Sequence, residues 1–185
     1  MTAVNIGRLT ISEGSSLPRW GYGSEPKDVQ TRHVFSDAAS AAVELGWSPS
    51  LPQEVPQGFA LAAVEAHLPQ DQQRSSIAIL VYRRAETAES FQLEQSVLGQ
   101  NALSAHDQVE IPSSGLHAVS VRDRPGAAWT FKLPPALLHS PPVELAHVAW
   151  EEGDRRFRLT SATLDEEALL LVAESIQQAA LSRGG

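Results

Sequence analysis

The sequence predicts an α+β domain. It is a curved, mostly antiparallel sheet of about seven strands, with a short N-terminal helix and a C-terminal helix packed on one face. Three observations carry this. Glu144–Trp150 and Arg155–Thr160 alternate apolar and polar residues on either side of Gly153-Asp154, as a half-buried hairpin does. Other strand-like stretches follow one another across polar breaks, without the regular strand–helix alternation of a doubly wound fold. Leu164–Leu181 then changes to helical spacing, with Leu164, Ala168, Val172, Ile176 and Ala179 on one stripe.

Residues 1–30 scatter Gly7, Gly14, Gly21, Gly23, Pro18 and Pro26 among polar residues and read as a loosely ordered arm. Within it Val4–Ile11 is a short strand candidate with Ile6 and Leu9 as weak anchors. Residues 31–182 form the single α+β domain. Ser36-Asp37 caps an alanine-rich helix, Ala38–Leu45, and Gly46 closes it. Pro49, Pro52 and Pro56 exclude both helix interior and central strand from Trp47–Gly58, leaving an extended connector that packs Leu51 and Val55 onto the body.

Strands are expected over Phe59–His67, Ser76–Tyr82 and Phe91–Leu98, then an irregular loop over Gly99–Gly115. Leu116–Val121 and Ala127–Phe131 flank a tight connection, Arg122–Gly126, that holds Pro125-Gly126. Leu133–Pro142, with four prolines, is a second connector. In the hairpin that follows, a two-residue turn at Gly153-Asp154 sets Trp150 opposite Phe157 and Val148 opposite Leu159. On the other face it sets Glu151 opposite Arg156 and His147 opposite Thr160. Gly153 suits the first central position of a type II′ turn, which needs φ > 0.

The last helix has two possible starts: a capping box, Thr163-Leu-Asp-Glu166, or Asp165 as the cap with Leu164 stapled onto Leu169. Leu169, Leu170 and Leu171 widen its apolar face, so it is expected to be buried on more than one side.

The formal charge of −8, from 14 basic and 22 acidic residues, argues against a protein that coats phosphate backbones, so no nucleic-acid partner is expected. The absence of cysteine removes disulfides, thiolate metal sites and cysteine nucleophiles together. Met1–Ser16 lacks the basic start and apolar core of a signal peptide, and no apolar run approaches the length of a membrane span. As written, the chain reads as cytoplasmic.

His33, His67, His106, His117, His139 and His147 show no metal-ligand spacing and read as isolated sheet or loop residues. Glu151, Glu152 and Asp154 at the hairpin tip, and Asp165, Glu166 and Glu167 at the helix start, are paired carboxylates of the kind acid–base chemistry uses. Both sets fall where solvated surface is expected. Ser75-Ser76 and Ser113-Ser114-Gly115 lack a nucleophile-elbow context, and Gly21-Tyr-Gly23 is too short for a phosphate loop. Trp20, Trp47, Trp129 and Trp150 read as lids on the core. Phe59, Leu61, Ile77, Ile79, Phe91, Leu93, Val119, Val121, Trp129 and Phe131 would line an apolar cavity if the sheet curved away from its helices. No residue is assigned a catalytic, cofactor-binding or metal-binding role, no cofactor is expected, and the chain reads as a non-enzyme.

Leu51-Pro-Gln-Glu-Val-Pro-Gln-Gly-Phe59, Ala78-Ile-Leu-Val-Tyr82, Phe91-Gln-Leu-Glu-Gln-Ser96, Val148-Ala-Trp-Glu-Glu-Gly-Asp-Arg-Arg-Phe-Arg-Leu159 and Leu169-Leu-Leu-Val-Ala-Glu-Ser-Ile176 form an ordered set. The set, over residues 36–178, resembles a bacterial domain of unknown function. That domain is often the C-terminal, extracytoplasmic part of anti-sigma-factor-like membrane proteins. The resemblance implies a non-enzymatic sensing or protein-interaction role in a regulatory system, with another protein as partner. It supplies no catalytic residues. The family usually hangs from a membrane segment, often behind a zinc-binding anti-sigma module, and this chain shows neither. The alternative is a carrier or sensor of an apolar small molecule or lipid on the inner face of the curved sheet.

Overall fold

The computed structural model describes residues 2–14, 31–68, 76–98, 107–111, 114–133 and 143–176. Its elements in chain order are β1 (Ala3–Ile6), β2 (Leu9–Glu13), β3 (Thr31–Phe35), α1 (Ala38–Leu45), β4 (Phe59–Leu68), β5 (Ile77–Arg84), β6 (Ser90–Val97) and β7 (Asp107–Ile111). They continue with β8 (Ser114–Val121), β9 (Arg124–Leu133), β10 (Val143–Glu152), β11 (Arg155–Ser161) and α2 (Glu166–Glu174).

An eight-stranded antiparallel sheet runs in the order β3-β4-β5-β6-β11-β10-β9-β8. It is open: β3 and β8 are its two edges. This corrects the expected curved body of about seven strands. All seven anticipated strands are present, but β3 lengthens the sheet and a second sheet, β1-β2-β7, packs on its other side. Covered by the two anticipated helices on one face and by strands on the other, the sheet is a middle layer and not a curved one.

The apolar face follows from alternation. Val64, Ala66, Ala78, Leu80, Tyr82, Phe91, Leu93, Phe157, Leu159, Val148 and Trp150 form one buried cluster with Ala41 and Leu45 of α1 and Leu169, Val172 and Ala173 of α2. Trp150 and Phe157 stack with centroids 4.9 Å apart, and Tyr82 stacks on Phe91 at 4.7 Å. Burial pushes the Tyr82 phenol up to about 12. On the opposite face Val4, Ile6, Leu9, Ile11 and Ile111 close over Leu116, Ala127, Trp129 and Ala149. Residues 3–13, expected in a loose arm, are thus a hairpin with three fully buried aliphatic anchors, Ile6, Leu9 and Ile11. β7 pairs with β2 in parallel and lies inside the stretch read as an irregular loop.

The β10–β11 hairpin has the anticipated register, Trp150 to Phe157 and Val148 to Leu159, closed by Gly153 at φ 64°. The β8–β9 connection is tighter than expected. Arg122 (φ 50°) and Asp123 (φ 61°) make the whole turn, and Pro125-Gly126 lies inside β9. Two positive φ values match a type I′ turn, whose twist suits a two-residue hairpin.

Asp37 caps α1 by accepting from Ser40 N at 2.8 Å, and Gly46 ends it at φ 73°. Asp165 caps α2 by accepting from Ala168 N at 2.9 Å. Of the two possible starts this is the second, with Leu164 packed against the cluster that holds Leu169. The helix stops at Glu174, short of the expected Leu181; residues 177–181 lie outside the described residues. Ser175 ends it because its carbonyl accepts from Gln53 N at 3.1 Å while its Oγ reaches Glu54 O and Val172 O. Leu171 is 68% exposed, so α2 is buried on one side only.

Candidate functional site

The proline connector is a built strap. Its prolines keep residues 48–56 out of helix and sheet ladder, up to a turn at Gln57-Gly58, leaving backbone groups that must find partners elsewhere. Gln95, fully buried on β6, supplies two of them: its Oε1 accepts from Ser50 N at 2.8 Å and its Nε2 donates to Ser50 O at 2.6 Å. Arg155 Nη1 donates to Ser48 O at 2.9 Å and Ser50 Oγ at 3.1 Å. Trp47 Nε1 donates to Ser76 Oγ at 2.7 Å. Pro52 then bridges Ile176, so the strap runs beside the end of α2.

Between strap and helix lies an apolar groove of about 250 Å³, lined by Glu54, Val55, Pro56, Ala168, Leu171 and Val172. Val55 packs on the core as anticipated, whereas Leu51 is 42% exposed and turns outward. Both walls are stiff. One is a proline-punctuated strap anchored at Ser50 and Ser175, the other a capped helix. Such a groove fits the apolar side of a partner segment.

The structure separates the apolar residues considered as a cavity lining. Phe59, Phe91, Leu93 and Val121 belong to the cluster under the helices, and Trp129 to the cluster under the small sheet. Ile77 and Ile79 point away from both Ala78 and Leu80 by strand alternation.

Of the hairpin-tip acids, Glu151 is buried while Glu152 and Asp154 are half-buried. Glu151 is 8% exposed; its Oε1 accepts from Arg156 Nε at 2.9 Å and Nη2 at 2.7 Å, and its Oε2 accepts from Arg8 N at 2.8 Å. Glu152 pairs with Arg122 at 3.3 Å, and Asp154 O accepts from Leu98 N at 2.7 Å. The Glu151 and Glu152 carboxylates join elements, Asp154 does so only through its backbone carbonyl, and the three do not converge on a cleft. At the helix start Glu166 pairs with His117 at 2.9 Å.

The histidines are dispersed. His33 pairs with Glu44 and His67 with Glu65, whose carboxyl is held low by Arg32. Hydrogen bonding to Gly115 O raises His117. His147 stacks on Trp129 at 4.9 Å with Nδ1 3.0 Å from Thr160 Oγ1, and burial, with Arg158 nearby, lowers it to about 3. His106, His139, Trp20 and Gly21-Tyr-Gly23 lie outside the described residues. Among the described residues no three histidine, aspartate or glutamate side chains gather to hold a metal ion.

Sequence reasoning missed Gln95 and Arg155. Both sit at strand positions that alternation places on the apolar face, and that mismatch of polarity with face was the signal available. No helix among the described residues is long and apolar enough to cross a membrane. Comparison with protein-family models, curated proteins and solved structures finds no match to this chain.

Proposed function

We propose that this chain is a non-enzymatic sensing or protein-interaction domain of a bacterial, anti-sigma-factor-like regulatory system. The observation that carries the reading is Leu171. A leucine 68% exposed at the lip of a preformed apolar groove keeps hydrocarbon in water, at a cost that a partner's apolar side chain relieves. The order of sequence motifs over residues 36–178 supplies the regulatory setting. The groove, near 250 Å³, is smaller than the pockets of roughly 300–1,000 Å³ that enclose small molecules, which favours a protein segment over a carried apolar ligand.

The test is affinity capture with the full chain from bacterial cytosolic and envelope extracts, beside a Leu171→Asp variant. The variant should melt as the parent does, since the position is exposed. A sigma-factor regulator or envelope protein should be retained by the parent and released by the variant. Retention of no such protein, or equal retention by both chains, removes the proposal.

A further inference from the structure

The two segments that wall the strap–helix groove, Trp47–Gly58 and Asp165–Ile176, contain no lysine, arginine or histidine. They carry acids instead: Glu54 on the strap, and Asp165, Glu166, Glu167 and Glu174 on or beside α2. Three of these are committed elsewhere. Asp165 caps the helix, Glu166 pairs with His117, and Glu174 accepts from Arg122 N at 2.8 Å, so the last two turn toward β8. Glu54 and Glu167 remain. Both are exposed, and neither side chain makes an ion pair among the described residues.

Their positions bracket the opening. Glu54 is part of the strap wall. Glu167 lies four residues before Leu171, and residues four apart are neighbours on a helix surface. The apolar slot therefore has one unpaired carboxylate on its strap side and another on its helix side. Two like charges beside one opening favour positive charge in whatever enters, and the chain's net −8 adds to that field.

We propose that the groove takes a basic amphipathic segment of a partner protein. An aliphatic or aromatic side chain of that segment fills the slot beside Leu171, and a lysine or arginine on either side of it meets Glu54 and Glu167. The inference rests on the groove being the docking site, and it adds the charge of what docks. The same two acids select against other ways of covering Leu171. A second copy of this chain would bring acidic walls of its own, and an anionic membrane surface would repel both lips.

The test is a titration of the full chain with hexapeptides capped at both ends, read from the NMR methyl signals of Leu171 and Ala168. Lys-Lys-Leu-Leu-Lys-Lys should shift both signals in a saturable manner, about tenfold more tightly than Glu-Glu-Leu-Leu-Glu-Glu. Lys-Lys-Ser-Ser-Lys-Lys, which has no anchor, should not saturate them. Added sodium chloride should weaken the basic peptide. Glu54→Gln combined with Glu167→Gln, both at exposed positions, should weaken it about fivefold and leave the affinity for Gln-Gln-Leu-Leu-Gln-Gln unchanged. Equal affinity for the basic, neutral and acidic leucine peptides overturns this inference and leaves the groove standing as a docking site. No response of Leu171 to any of them removes the groove, and this inference with it. Undiminished binding of the basic peptide by the folded double variant overturns the inference as well. So does pelleting of the chain with phosphatidylglycerol vesicles, or self-association that Leu171→Asp abolishes.

Discussion

Glu151 on β10 closes over Gly7 in the β1–β2 turn: a β-carbon at Gly7 would stand 2.6 Å from Glu151 Oε2. That oxygen cannot swing aside freely, because it accepts from Arg8 N at 2.8 Å while its twin is held by Arg156. Gly7 also has φ +68°, which costs a residue with a side chain extra strain. Gly7→Ala should therefore destabilise the fold by about 1–3 kcal/mol in urea denaturation. In a Glu151→Ala background its cost should shrink, leaving only the backbone part. Equal cost in both backgrounds would show that the two residues do not interact.

Burial of His147 sets a pH dependence. Its pKa is lowered to about 3 in the folded chain, against the ordinary 6.5 when unfolded. The unfolded chain thus binds a proton first, and stability from the neutral ring is present above pH 6.5 and lost as pH falls toward 3. Near pH 5 the loss should be on the order of 2 kcal/mol. Glu65, with its lowered carboxyl pKa, contributes only at lower pH, and His117, raised, works in the opposite direction. Thermal melts of His147→Asn should show a flatter profile between pH 7 and 5 than the parent. An unchanged slope would mean the ring is not the group that titrates.

Gln95 satisfies the backbone of Ser50 from inside the core, and Ser50 is itself 1% exposed. Gln95→Leu fills the same space but leaves a buried N–H and C=O without those bonds. A loss of about 1–3 kcal/mol follows. Faster exchange of the Ser50 amide, read by hydrogen–deuterium exchange, should accompany it. Retained protection there would argue that other contacts hold the strap.

Asp123 pays for its place in the β8–β9 turn with φ 61°. Asp123→Gly should relieve that strain and raise stability by about 0.5–1 kcal/mol, since glycine is the preferred second residue of a type I′ turn. A lower melting temperature would show that the aspartate side chain contributes more than the strain removes.

What could be read from the sequence was what neighbours in the chain decide. The β10–β11 register followed from alternation on either side of one glycine, and the cap of α1 from residues one turn away, while the start of α2 was narrowed to two neighbouring candidates. What could not be read depends on distant partners. β7 is five residues containing aspartate, glutamine and glutamate, and it is a strand only because β2, some hundred positions earlier, lies alongside. Glu151 looked like a solvated turn residue because its partner Arg8 is 143 positions away. The groove was invisible for the same reason: the prolines announce a strap, but not that Gln53 would end a helix at Ser175. Leu171 had the same hydropathy as its buried neighbour Leu169, and only the side on which α2 docks distinguishes them.

The parallel pairing of β2 with β7 also sets an order of assembly. The β1–β2 ribbon is made well before its bed, which is laid by β7 through β10, and Glu151 fastens it only after residue 151 has been made. A two-stranded ribbon with exposed isoleucines is unstable alone in water. During synthesis residues 3–13 must therefore wait, sticky and unsheltered, until the strands through β10 have been made.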